Sequence, residues 1–294
     1  MKDQKVMDNK TDNVHISIVL GSLNRKRFLK AAIQSIRNNG ISVPYEIIVV
    51  DGGSTDGSLR WLSRQKDIIT IVQHNQGSFR GRPIQRRTWG YFMNLAFKCA
   101  QGKFIAMISD DSLLIPGSIM NGLNYFEDLT ALGRTIGAVA FYFRNWPEQP
   151  KYFVRTTLGD KISVNHGMFL RSAVEDVGWI EENRYQFYHA DGDLCLKLWQ
   201  RGYEVVDCPR AFVEHFRHAN SKIRKNNMQK QKADWSAYLN RWKGIFYDPD
   251  KDDTGGWIYS DYCDHNRIMK NFPKLPAYKM LLISALVKIK RKFD

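Results

Sequence analysis

At 294 residues with 43% hydrophobic side chains, the chain is long enough to bury one large core or two small ones. Its 44 Lys and Arg against 30 Asp and Glu leave a net charge of +14, which suits nucleic acid, anionic lipid or phosphorylated small molecules as partners. Cys99, Cys195, Cys208 and Cys263 show no C-x-x-C spacing, nucleic-acid-binding signatures are missing, and Met1 to Asn13 lacks an apolar stretch. A disulfide scaffold, a zinc finger and a signal peptide are therefore disfavoured; a cytoplasmic protein with reduced core cysteines is expected.

Val14 to Leu20 reads as a strand, followed by Gly21-Ser22-Leu23-Asn24-Arg25 and a helix through Phe28, Leu29, Ala32, Ile33 and Ile36 that Gly40 closes. Tyr45 to Val50 is a second strand ending at Asp51, then a Gly52-Gly53-Ser54-Thr55-Asp56-Gly57 turn, a short helix and a third strand, Ile68 to Val72. Strand and helix alternating in this way predict a doubly wound, mostly parallel sheet. Gln73 to Pro83 is a glycine-rich polar loop, and Arg86 to Ala100 a helix. Phe104 to Ile108 is then an apolar run that stops at Ser109-Asp110-Asp111-Ser112. Paired carboxylates at the carboxyl edge of such a sheet can hold a divalent cation against a phosphorylated ligand; equally, Asp111 or Ser112 can cap the helix that follows Pro116.

Ala138 to Phe143 is another strand, and beyond Trp146-Pro147 the rhythm turns to a mixed sheet with strands at Tyr152 to Leu158 and Val164 to Leu170. Ala190-Asp191-Gly192-Asp193 opens a helix that Gly202 stops; a capping aspartate explains one of its carboxylates better than two. His215 closes a last short strand, as a structural residue or a ligand. Basic residues crowd Arg80 to Arg87, Arg217 to Lys232 and Lys288 to Lys292. The apolar run within Tyr278 to Lys292 is too short to span a bilayer and suits an interfacial helix on anionic lipid or a helix packed on the domain.

Ile16 to Arg25, Ile47 to Ser58, Asn94 to Asp111 and Asp191-Gly192-Asp193 with Gly202-Tyr203 together resemble the family 2 glycosyltransferases of the GT-A fold, over roughly residues 14–217. The resemblance implies a nucleotide-binding half (14–112), an acceptor half (113–217), and a basic, largely helical extension (218–294). It implies transfer with inversion from a nucleotide-diphosphate sugar, a UDP-sugar foremost, to a saccharide or lipid-linked acceptor, assisted by Mn2+ or Mg2+. In that scheme Gly21, Leu23 and Arg25 lie near the base or ribose, Asp51 accepts a hydrogen bond from the base, and Asp110 faces the ribose. Asp111 and His215 hold the metal, Arg86 and Arg87 help the diphosphate leave, and Asp191 is the general base. Trp179 and Asp193 are expected on the acceptor side. Ser109 replaces the first acid of the fuller family motif, and the first loop lacks the usual base-stacking tyrosine. Two rivals are a nucleotidyltransferase of similar fold, for which Gly21 to Arg25 is a poor triphosphate loop, and a non-catalytic basic module docking on nucleic acid or anionic membrane, nucleic acid being the weaker partner. The basic C-terminal segment adds peripheral attachment at the inner face of a membrane as an alternative to a freely cytoplasmic chain.

Overall fold

The computed structural model describes residues 13–145, 149–216, 229–251 and 254–260. The first strand, β1 (Ile16–Ser22), is apolar towards both faces of the sheet and almost wholly buried, as befits a strand with parallel neighbours on each side. Helix α1 (Lys26–Arg37) buries Leu29, Ala32, Ile33 and Ile36, the one-sided stripe that lays it on the sheet. Strand β2 (Tyr45–Asp51), the short α2 (Ser58–Leu62) and β3 (Ile68–Val72) follow, with β1, β2 and β3 parallel. A small hairpin of β4 (Ser78–Phe79) and β5 (Arg82–Pro83) leads to α3 (Trp89–Cys99), whose first turn is capped by Thr88: its Oγ1 accepts from Tyr91 N at 3.1 Å. Strand β6 (Phe104–Met107) then returns on the other side of β1.

The apolar run ends sooner than its sequence suggests. Residues 108–111 leave the sheet, and Ser112–Leu114 form a separate strand, β7. Helix α4 (Ser118–Ala131) packs so closely on the sheet that a Cβ on Gly122 would lie 2.4 Å from the Phe141 ring. Next come β8 (Ile136–Asn145), β9 (Phe153–Thr156), β10 (Ile162–Ser163), β11 (Gly167–Leu170), α5 (Arg171–Asp176), α6 (Ala190–Gln200), β12 (Glu204–His215), α7 (Gln231–Trp242) and β13 (Trp257–Tyr259). The sheet runs β10-β9-β8-β11-β6-β1-β2-β3, with β12 parallel to β8, β7 antiparallel to β12, and β13 on β9. Strand β11 is antiparallel to both neighbours, so it joins the parallel half to the mixed half.

Two apolar clusters cover the two faces of the sheet. One gathers Leu29, Ile33, Ile119, Leu123 and Phe126 from α1 and α4; the other gathers Met93, Phe97, Leu194, Leu198, Tyr238 and Trp242 from α3, α6 and α7. The result is three layers with the central parallel strands β1 and β6 sheltered on both sides and β3 partly exposed at the sheet edge. Among the described residues no helix is long and apolar enough to cross a membrane. Cys195 and Cys208 are buried and free as expected, whereas Cys99 is exposed at the end of α3. Residues 278–292, expected as an interfacial or packed helix, lie outside the described residues, as do residues 217–228 of the basic run.

Candidate active site

Strands β1, β2 and β6 end on one edge of the sheet, and the loops leaving them border a cleft of about 880 Å³. Gly21, Leu23, Asn24 and Arg25 come from the first loop, Gly52 from the second, and Ser109 and Asp110 from the third. Gly21 is small for a reason of packing: a Cβ there would come within 3.1 Å of both Phe92 and Met93. Asn24 takes the left-handed φ of 51° and ties the first two loops, its Oδ1 accepting from Thr55 N at 2.7 Å while its own N donates to Ser54 Oγ at 2.8 Å.

Asp51 has a different task from the one expected. It is fully buried, Oδ1 accepts from Gly53 N (2.9 Å) and Ser54 N (2.7 Å), and Oδ2 accepts from the Ser54 hydroxyl (2.7 Å). Its carboxylate closes the Gly52-Gly53-Ser54 turn, and it is Gly52 that lines the cleft.

Asp110 and Asp111 are 2% and 6% exposed. The Arg25 guanidinium bridges them, Nη1 donating to Asp110 Oδ1 and Asp111 Oδ2, both at 2.8 Å. Arg25 thus sits on the acidic pair. Burial pushes Asp110 up to about 6 against the pull of Arg25, with the adjacent Asp111 charge adding to the rise. Burial opposes ionisation of Asp111 too, but His215, Arg25 and the Ser109 hydroxyl together hold it well below the usual carboxylate range. Ser109 therefore serves its neighbour directly: its hydroxyl donates to Asp111 Oδ1.

His215, at the end of β12, turns Nε2 towards Asp111 Oδ1 at 3.5 Å. Its Nδ1 meets Asn145 Oδ1 at 2.7 Å, and since Asn145 Nδ2 donates to Gln149 Oε1 (2.6 Å), the Asn145 oxygen is the acceptor and Nδ1 carries the proton. His166 lies beside it with ring centres 5.5 Å apart; burial and the His215 charge push His166 down to about 3, so it is neutral.

Arg86 and Arg87 are exposed on the cleft wall, Arg86 donating to Gln76 O and Arg87 lying over the Tyr91 ring. Asp191 is half-buried in the first turn of α6, at the positive end of the helix dipole; His189 takes the N-cap position at φ 69° and its side chain makes no capping hydrogen bond. Asp191 Oδ1 accepts from Gly192 N (2.9 Å), and Oδ2 from Asn165 Nδ2 (3.0 Å), and Asn165 lines the cleft.

Two expectations are corrected. Asp193 is fully buried and its Oδ1 accepts from Tyr185 (2.9 Å), Trp242 Nε1 (3.0 Å) and Arg241 Nε (2.9 Å), so it fastens α6 to α7 and offers nothing to an acceptor. Trp179 packs against the core between α5 and α6 and is not part of the cleft wall; its φ of 63° and the acceptance by its carbonyl of Lys197 Nζ mark a structural turn. The cleft also includes residues that sequence reasoning passed over: Asn75, Gln76, Gln186, Phe187, Gln229 and Lys230. The first two lie in the glycine-rich loop and Lys230 in the basic run; nothing local marks Gln186 or Phe187.

Parallel strands delivering paired carboxylates to one edge, beside a cleft rimmed by arginine, define a GT-A glycosyltransferase. The chain belongs to glycosyl transferase family 2, whose model matches residues 17–172. It is 29% identical over 120 residues to an uncharacterized glycosyltransferase of Nostoc sp., covering 40% of this chain and 34% of that one. It spans 25% and 10% of two further curated relatives, so it corresponds to only part of each. Among solved structures, the mannosyltransferase PcManGT from Pyrobaculum calidifontis, in complex with GDP-Man and Mn2+, shares the fold with a TM-score of 0.56 at 16% identity, over 81% of this chain and 67% of that one. S. aureus TarS 1–349, in complex with UDP-GlcNAc, gives 0.53 at 14%, over 77% and 67%. The family match and these likenesses give the chain a family 2 glycosyltransferase domain of the GT-A fold.

Proposed function

We propose that the chain transfers a sugar with inversion from a nucleoside diphosphate donor, a UDP-sugar foremost, to a saccharide or lipid-linked acceptor, with Asp191 as general base. The observation that supports this is Asn165, which lines the cleft and donates to Asp191, so that Asp191 stands one hydrogen bond behind the cleft lining. An acceptor hydroxyl set between Asp191 and the anomeric carbon would give its proton to the carboxylate as the new bond forms and the bond to the diphosphate breaks.

The donor set suits Mn2+ or Mg2+. Among the described residues no three His, Cys, Asp or Glu converge into a protein-only cage. Asp111 with His215 Nε2 offers one hard and one borderline ligand, as a cation completed by diphosphate oxygens requires. When bound, such a cation would neutralise charge on the leaving diphosphate. Arg86 and Arg87, together with Lys230, would add positive charge at the cleft rim, and Arg25 would keep the paired aspartates in place. The basic surface is compatible with peripheral contact to anionic membrane.

Asp191→Asn tests the assignment. Its amide oxygen can still accept from Gly192 N, and its NH2 can donate to Asn165 Oδ1 once the Asn165 amide turns over, but it cannot take a proton, so transfer should fall by about 10²-fold or more while nucleotide affinity stays within about twofold. Full transfer by the variant would refute Asp191 as the base.

A further inference from the structure

The family match ends at residue 172, yet α7, sixty positions further on, reaches the cleft. Gln229 and Lys230 line it, and the next turn carries Asp234, 2% exposed. Asp234 accepts three consecutive backbone N–H groups, from Gln186 (2.8 Å), Phe187 (2.9 Å) and Tyr188 (2.9 Å). Amides converging in this way form an anion cradle, and here one α7 carboxylate fills it. It thereby fixes the backbone of the segment that puts Phe187 in the cleft wall and leads directly to Asp191.

The same segment begins a row of rings. Phe187 meets Tyr188 edge to face with centres 5.0 Å apart at 78°, Tyr188 lies 6.4 Å from His189 at 50°, and His189 lies 4.9 Å from Trp235 at 46°, so the rings present differently tilted faces. Beneath them His189 stacks on the buried Tyr238 at 5.1 Å and 21°, and the Tyr238 hydroxyl shares a 2.7 Å hydrogen bond with Thr157. Phe187, Tyr188, His189 and Trp235 each remain partly open to solvent, although Tyr238 under them does not. A hydrophobic anchor for α7 alone would call for Tyr238 and Trp242, both buried, and not for four part-exposed rings beside the base. Tilted ring faces, with Phe187 sharing the cleft lining with the amide side chains of Gln186 and Asn165, offer what a sugar ring needs: an aromatic face for its C–H side and partners for its hydroxyls.

We propose that Phe187, Tyr188, His189 and Trp235 form the platform on which a carbohydrate ring of the acceptor lies, and that Asp234 is the positioning residue that sets it. This rests on the glycosyltransferase reading and commits the acceptor to a saccharide at the point of contact.

The test is saturation-transfer NMR with cellotetraose, chitotetraose, maltotetraose and mannotetraose as probes. It uses the full chain with diamagnetic Mg2+ and whichever of UDP, GDP, dTDP or CDP binds, with the nucleotide Kd measured in parallel by calorimetry. At least one tetrasaccharide should be saturated through its ring C–H protons. That signal should fall about fivefold or more in Trp235→Ala and in Asp234→Asn, persist in Trp235→Phe, and leave the nucleotide Kd within about twofold throughout. Nucleotide binding without saturation of any tetrasaccharide, or saturation unchanged in Trp235→Ala and Asp234→Asn, would overturn the platform and leave the donor site standing. A wild type that binds none of the four nucleotides would overturn the reading beneath it.

Discussion

Asp110 and Asp111 are adjacent, both buried, and titrate in opposite directions. Asp110, at about 6 against an ordinary 3.8, holds its proton more tightly folded than unfolded, so for this group stability falls as pH rises from about 4 to about 6. Asp111, held below the usual range by His215 and Arg25 in spite of burial, contributes stability above about pH 4 that is lost as pH falls further. Asp110→Asn removes only the first effect. Without metal at pH 7.5, the variant should be more stable than wild type by on the order of 1–2 kcal/mol, and the gap should close at pH 4.5. Urea melts at the two pH values check this; a variant less stable at pH 7.5 than at 4.5, relative to wild type, would contradict it.

The paired aspartates and Asp191 were readable in the sequence because each ends or begins a strongly patterned element. Asp51 and Asp193 were not, since a motif tells where a carboxylate stands along the chain and not which groups it accepts from. For Asp51 the clue was present: Asp followed by Gly-Gly-Ser is turn chemistry, and the turn uses both of its oxygens. For Asp193 the partners Arg241 and Trp242 stand some fifty residues away, beyond any local signal.

At the level of elements, β8 and β12 are locked at the end that carries Asn145 and His215. Arg144 lies against Glu214 with Nε at 2.9 and 2.8 Å from the two carboxylate oxygens and Nη2 at 2.7 Å, and the Tyr152 hydroxyl donates to the same carboxylate. Both charged groups are at most 4% exposed. Arg144→Met should lower stability by about 3–5 kcal/mol, because it strands the Glu214 charge, while Arg144→Met with Glu214→Leu should recover most of the loss. Chemical denaturation of the single and double variants decides it; a double variant as unstable as the single would show that packing, and not the stranded charge, is what matters.

The parallel half of the sheet matched its sequence reading closely, since strands buried on both faces give unbroken apolar runs such as Ile47 to Val50. The mixed half did not. Strand β12 is twelve residues long, but Pro209 lies at a register shift between Cys208 and Phe212, so the sequence shows only its last piece. The 108–111 excursion was hidden by the opposite effect: Ile108 is apolar and buried although it has left the strand.

Across the whole molecule, a chain with a net charge of +14 presents a cleft lined by both signs of charge. Asp110 lines it with Asp111 next to it, the two bridged by Arg25, while Arg86, Arg87 and Lys230 line it with positive charge. That arrangement fits a ligand carrying both a polyanion and its cation better than it fits either alone. The direct check is a thermal-shift titration with UDP, GDP, dTDP and CDP, each with and without Mn2+, on wild type and Asp111→Ala. One nucleotide should raise the melting temperature only with Mn2+, by the equivalent of about 2.7 kcal/mol at a hundredfold excess over Kd, and Asp111→Ala should lose that shift. A cooperative melt that no nucleotide moves, or a shift that survives in Asp111→Ala, would contradict a metal-assisted donor site at the end of β6.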